Sequence, residues 1–219
     1  MIPLNIDRTH QALSESEANA LLNRFLKGQN KLLELAYLAG CSEMARKGSW
    51  EKVARRTLRV VASVLGGSCM RIDGGPREYV LSVCPLADGR ISPIRFEVNK
   101  RRGFQHRCTR LELSRHYAIR VMQGYRARSL ASTSNALLDA IAYPVTWTTE
   151  NLGGRDDFWV VDRDGASLIR RDTGEPIAVT YLPRSSWDHG REQVWLKGLE
   201  GANSIAATPY KVLAREEAA

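Results

Sequence analysis

The chain has 219 residues, 43% of them apolar and 26% charged, with four cysteines and a formal net charge of +8. That size and apolar content support one domain with a sizeable core, or one with a smaller appendage, and no apolar run approaches the about 18 residues of a membrane span. Residues Met1–Asp7 lack the order of a secretory signal, so a cytoplasmic protein with reduced, mostly buried thiols at Cys41, Cys69, Cys84 and Cys108 is expected.

In chain order, Ser14-Glu15-Ser16-Glu17 has the form of a capping box. Leu21, Leu22, Phe25, Leu26, Leu32, Leu33, Leu35, Ala36 and Leu38 come next at helical spacing, with Gly40 as the stop. A second helix is predicted from Ser49 through Val53, Leu58, Val61 and Leu65, ending at Gly66-Gly67, with Lys52, Arg55, Arg56 and Arg59 on its outer face. Beyond Gly67 the apolar period shortens to two. Met70–Ile72, Tyr79–Val83 and Ile91–Val98 read as strands, divided by Asp73-Gly74-Gly75-Pro76 and Asp88-Gly89.

A loop at Asn99–Gly103 leads into Leu111–Leu113, and alternation of Tyr117, Ile119 and Val121 with His116, Arg120 and Met122 predicts a strand, a helix being the alternative. Ser132–Ser134 caps a short helix through Leu137, Leu138 and Ile141 that Pro144 stops. The next segment is a meander of Val145–Thr149, Phe158–Asp162, Ser167–Arg171 and Ile177–Leu182, turning at Arg163-Asp164-Gly165 and Asp172-Thr173-Gly174. A short helix near Val194–Leu199 and a frayed end at Ala214–Ala219 complete the chain. Helices before strands argue α+β: an N-terminal helical hairpin, then a mostly antiparallel sheet with one or two interspersed helices. The one natural division falls at Gly66-Gly67, giving a helical region 1–66 and a β-rich region 67–219 packed as one globular unit.

Charge is the most specific signal. Residues 100–128 carry nine Lys/Arg (Lys100, Arg101, Arg102, Arg107, Arg110, Arg115, Arg120, Arg126, Arg128) against Glu112 alone, an excess equal to that of the whole chain. Clustered cations interleaved with Phe104, Tyr117 and Tyr125 suit a polyanion, phosphates supplying affinity and aromatic faces stacking on unpaired bases. The expectation is a binder of RNA or single-stranded DNA through 100–128, extended by Lys52, Arg55, Arg56 and Arg59. The competing use of these arginines is ion pairing with the acid-rich C-terminal third.

Two other functions fit the same residues. One is a protein-binding inhibitor or adaptor of a nucleic-acid-processing complex, for example of phage or mobile-element origin, with the basic stretch docked on an acidic partner. The other is a metal-independent ribonuclease, with His106 and His116 as acid and base, Tyr117 as a proton donor and Arg120 among the cations facing the phosphorane. A non-catalytic protein is expected over an enzyme.

Other motifs are weaker. Asp88…Glu97-x-x-Lys100 has one residue too many for the E-x-K strand of metal nucleases. Asp156-Asp157…Asp162–Gly165 reads as hairpin punctuation, and the paired glycines lack the context of a phosphate-cradling loop. Ala36–Ser42 has the Ala-x-x-x-Gly step of a helix-turn-helix, but the stretch Glu43–Lys47 before Gly48 is short for a recognition helix. No cofactor, metal or membrane is implied.

Overall fold

Ser14 opens the first helix as its sequence requires. Its hydroxyl accepts from the Glu17 N–H while the Glu17 carboxylate accepts from the Ser14 N–H at 2.9 Å, closing a capping box on α1 (Glu15–Met44). The computed structural model describes residues 12–72, 78–150, 157–161, 164–170 and 175–190. The turns read at Asp73–Pro76 and Asp172–Gly174, and the helix at Val194–Leu199, lie outside the described residues.

Gly40 does not stop α1. The helix continues to Met44, and a Cβ at Gly40 would overlap the Phe104 ring, so the glycine admits an aromatic side chain against the helix backbone. The helix-turn-helix step at Ala36–Ser42 is thus continuous helix. A short turn leads to Ser49, whose carbonyl accepts from the Val53 N–H at 3.0 Å at the start of α2 (Trp50–Leu65) while its side chain makes no capping bond. β1 (Met70–Ile72), β2 (Tyr79–Pro85) and β3 (Ile91–Asn99) then form an antiparallel meander, joined to β4 (Gly103–Cys108) and β5 (Glu112–Leu113) along the far edge of β3.

The strand read over Tyr117–Met122 is a helix, α3 (Arg115–Gly124). Ser114 caps it, its Oγ accepting from the Tyr117 N–H at 3.0 Å. Tyr117, Ala118, Val121 and Met122 share one buried helical face, and Ile119, buried beside it, produces the apparent alternation. Ser129, not Ser132, opens the next helix, accepting from the Ser132 N–H at 3.1 Å. α4 (Leu130–Glu150) passes through Pro144, so neither the stop at Pro144 nor the strand at Val145–Thr149 is present.

A proline at this position cannot donate to the Ala140 carbonyl four residues back. That carbonyl accepts instead from the Tyr117 hydroxyl at 3.2 Å, whose oxygen lies 3.0 Å from Ser167 Oγ. Tyr117 and Ser167 are fully buried, so the pair satisfies a backbone group that the proline would otherwise orphan. β6 (Asp157–Val161), β7 (Gly165–Arg170) and β8 (Ile177–Pro183) form the second antiparallel meander, as predicted.

The eight strands among the described residues make one mixed sheet in the order β1-β2-β3-β5-β8-β7-β6, with β4 paired to β3; β5 and β8 are parallel, the other pairs antiparallel. With the four α-helices described, this is an α+β protein. β2 is buried on both faces: Tyr79, Leu81 and Val83 enter the main core with α3, α4, β7 and the first half of α1. Val80 and Cys84 enter a smaller cluster with Ile94, Phe96, α2 and the second half of α1. α1 therefore spans both cores. No helix among the described residues is long and apolar enough to cross a membrane.

Candidate nucleic-acid interface

Two segments distant in sequence, the β3–β4 turn and α2 with the connection before it, line one groove. The first is the β3–β4 turn. Asn99 organises it, its side-chain oxygen accepting from the Arg101 N–H at 2.9 Å and its carbonyl from the Arg102 N–H at 3.2 Å; Gly103 closes the turn at φ +72°. Lys100, Arg101 and Arg102 project from it into solvent. Below them Phe104 packs on Gly40 and stacks on Tyr37 and Phe96, with centroids 5.7 and 6.1 Å away. The turn is thereby anchored to the C-terminal end of α1.

The second segment runs from the α1–α2 connection along the outer face of α2. Glu43, 4% exposed, accepts from Arg46 at 3.2 Å and pairs with Arg56. Arg56 is consequently spent inside, unlike Lys52, Arg55 and Arg59 on the same helix. Lys47, Lys52, Arg55, Arg59, Lys100, Arg101 and Arg102 are all exposed and have no carboxylate partner among the described residues. Lys47, absent from the sequence-based candidates, is exposed in the connection that leads into α2.

A groove of about 280 Å³ joins these parts. Trp50, Ala54 and Leu58 of α2 form one wall, and Glu78, Glu97 and Lys100 at the ends of the sheet form the other. Both acids have partners: Glu78 accepts from Arg71 Nε at 2.7 Å, and Glu97 lies 3.9 Å from Arg107. Trp50, half-buried at the head of α2, is an aromatic wall within reach of the hairpin cations, and its role was not legible in the sequence.

The rest of the basic segment is carried away from this corner, with α1 as the ruler. Tyr37 contacts His106 at 4.5 Å, Asn19 and Asn23 accept from Arg115 at 2.6 Å, and the Leu13 carbonyl accepts from Gln123 at 3.0 Å. From Leu13 to Gly40 a helix advances roughly 40 Å. Arg120 and Arg126 therefore sit at the opposite end of the molecule from Arg101 and Arg102. Arg107 and Arg110 are exposed between them, and Arg128 is exposed at the head of α4.

The structure does not bring the ribonuclease candidates together. His106 pairs with Phe96 while Leu113, next to α3, pairs with Ile91, and those positions of β3 are roughly 17 Å apart. His116 lies on the first turn of α3, and Tyr117 is buried with its hydroxyl engaged. Asp88 and Glu97 flank opposite ends of β3, and Arg90, hydrogen-bonded to Asp88, holds that carboxyl below its ordinary range.

All four cysteines are free, but only Cys84 is buried; Cys69 is half-buried, and Cys41 and Cys108 are exposed, against the expectation of mostly buried thiols. Those two positions lie near the end of α1 and on an outer strand, places that apolar patterning does not mark. Burial raises the Cys69 thiol to about 11, and burial together with the neighbouring Cys108 raises Cys84 to about 12. No cluster of potential metal ligands occurs among the described residues. Comparison with protein-family models, curated proteins and solved structures finds no match.

Proposed function

We propose that this protein binds RNA or single-stranded DNA at the corner formed by the β3–β4 turn and α2. The observation that carries this reading is seven exposed cations, none paired with a carboxylate among the described residues, on two stretches of sequence, 47–59 and 100–102, that line or flank one groove. Unpaired guanidinium and ammonium groups held on rigid elements are already set to neutralise phosphates, with counterion release as the driving force. Trp50 supplies a face for base stacking, at roughly 1–3 kcal/mol per base. Replacing Lys100, Arg101 and Arg102 by Gln tests the reading. The variant should lose affinity for oligonucleotides of every sequence, and its log K against log salt should flatten by about 0.7 for each phosphate no longer neutralised. Unchanged affinity and slope would refute it.

A second reading, docking on an acidic protein, is favoured by β4. That strand pairs only with β3 among the described strands, and His106, Arg107 and Cys108 are exposed along it. A proline in place of Cys108, at the end of β4 far from the turn and with its N–H directed away from β3, should abolish such an interaction while sparing oligonucleotide binding; the reverse outcome excludes it.

A further inference from the structure

The far end of the basic segment has a geometry of its own. α3 ends in a paired turn in which the Arg126 N–H donates to the Gln123 carbonyl at 3.2 Å and the Ala127 N–H to the Met122 carbonyl at 2.9 Å. Such a helix end requires a residue in the left-handed region, and glycine is the usual choice there. Here the position is held by Arg126 at φ +54°, the one non-glycine residue with positive φ among those described. An arginine kept where glycine is favoured carries a conformational cost, and such costs concentrate at functional positions.

Its side chain lines a groove of about 310 Å³ that also contains Arg120, Gln123 and Ser185, with Gly124 and Pro183 as walls. Among the described residues the lining holds two arginines, a serine and a glutamine, and no carboxylate. Arg120 reaches only the Gln123 side-chain oxygen, at 3.5 Å, and no carboxylate lies within 4 Å of either arginine among the described residues. The groove is also rigid: a Cβ at Gly124 would meet Pro183 Cβ at 2.9 Å, and Gln123 is tied to the Leu13 carbonyl. Two arginines lining one groove without a compensating acid among the described residues suit the oxygens of a phosphate group, which carries between one and two negative charges at neutral pH.

We propose that the groove between the C-terminal end of α3 and the end of β8 is a phosphate-binding site, with Arg120 and Arg126 as the ligand-binding residues. It is separate from the corner assigned to nucleic-acid binding and stands whether or not that assignment holds. The phosphate group could belong to a 5′-phosphorylated nucleic-acid end or to the free ion, and the test distinguishes them.

The experiment is calorimetric titration of the full chain at constant ionic strength with inorganic phosphate, then with a trinucleotide carrying either a 5′-phosphate or a 5′-hydroxyl. Saturable phosphate binding is expected, weakened about tenfold or more by Arg120→Gln or by Arg126→Gln, and unaffected by Gln at Arg101 and Arg102. Tighter binding of the 5′-phosphorylated trinucleotide than of inorganic phosphate, lost in the same two variants, assigns the site to a nucleic-acid end; equal affinities assign it to the free ion. Arg126→Gly serves as the folding control. It relieves the left-handed arginine, so its melting temperature without phosphate should not fall, while phosphate binding is lost. Absence of saturable phosphate binding, or binding that survives both Gln substitutions unchanged, overturns the proposal.

Discussion

The two ends of the basic segment are built in opposite ways. At the hairpin end, Lys100, Arg101 and Arg102 stand on a turn with open solvent around them, and their density comes from a second element, α2, folded alongside. At the helix end, Arg120 and Arg126 line a groove walled by a helix terminus and the proline end of a strand. An open row of cations tolerates many phosphate arrangements, whereas the proposed groove would take one group. Equal charge in sequence has become two different kinds of surface, because α1 holds the ends roughly 40 Å apart.

The sharpest way to break the comparison is to neutralise one end at a time. Gln at Lys100, Arg101 and Arg102 should reduce oligonucleotide affinity by about a hundredfold at low salt, at roughly 1 kcal/mol per charge-assisted contact. Gln at Arg120 and Arg126 should reduce it far less. Equal losses in filter-binding assays would mean that the ends act as one surface.

Next in size is the support of the hairpin end. Gly40→Ala forces Phe104 off the α1 backbone, which should cost about 1–3 kcal/mol in denaturant unfolding, and should loosen the turn that displays the cations. The helix end has a different support. Tyr117→Phe leaves the Ala140 carbonyl without a donor, at about 1–3 kcal/mol. The loss should shrink when combined with Pro144→Ala, because an alanine at 144 restores the helical donor. Strict additivity in that double-mutant cycle would show that the tyrosine and the proline are not coupled.

These features also show where the sequence is legible. Ser14 and Glu17, the period of α2 and the short apolar runs of β2, β3, β7 and β8 are local signals whose local answer survives folding. The errors have tertiary causes. Gly40 reads as a terminator until Phe104 arrives to fill the space, and Pro144 reads as a stop until Tyr117 from another helix takes the orphaned carbonyl. Burial of Ile119 beside the main apolar face of α3 produced a false period of two, although Ser114 was present as a cap. The site was legible as charge and illegible as shape. Nothing local shows that Arg56 is paired with Glu43 while Arg55 has no carboxylate partner among the described residues, or that Lys100 lines a groove with Trp50.

The smallest effect concerns the thiols. Cys41 and Cys108 should react with a thiol reagent before Cys69 and Cys84, whose ionisation is pushed up to about 11 and 12. Both of these shielded thiols are neutral at low pH, folded or unfolded. Above about pH 9 the unfolded chain releases those protons first, so stability should fall as the pH rises from there. Unfolding midpoints that stay level between about pH 8 and 10, against a Cys69→Ser, Cys84→Ala control, would contradict this assignment.

The most direct measurement of the central claim is an amide NMR titration of the protein with a short single-stranded oligonucleotide at low salt. Shifts confined to residues 46–59 and 97–106, and abolished by raising the salt, are the predicted result. Shifts centred on β6–β8, or none at any concentration, would contradict the placement of the nucleic-acid interface at the hairpin corner.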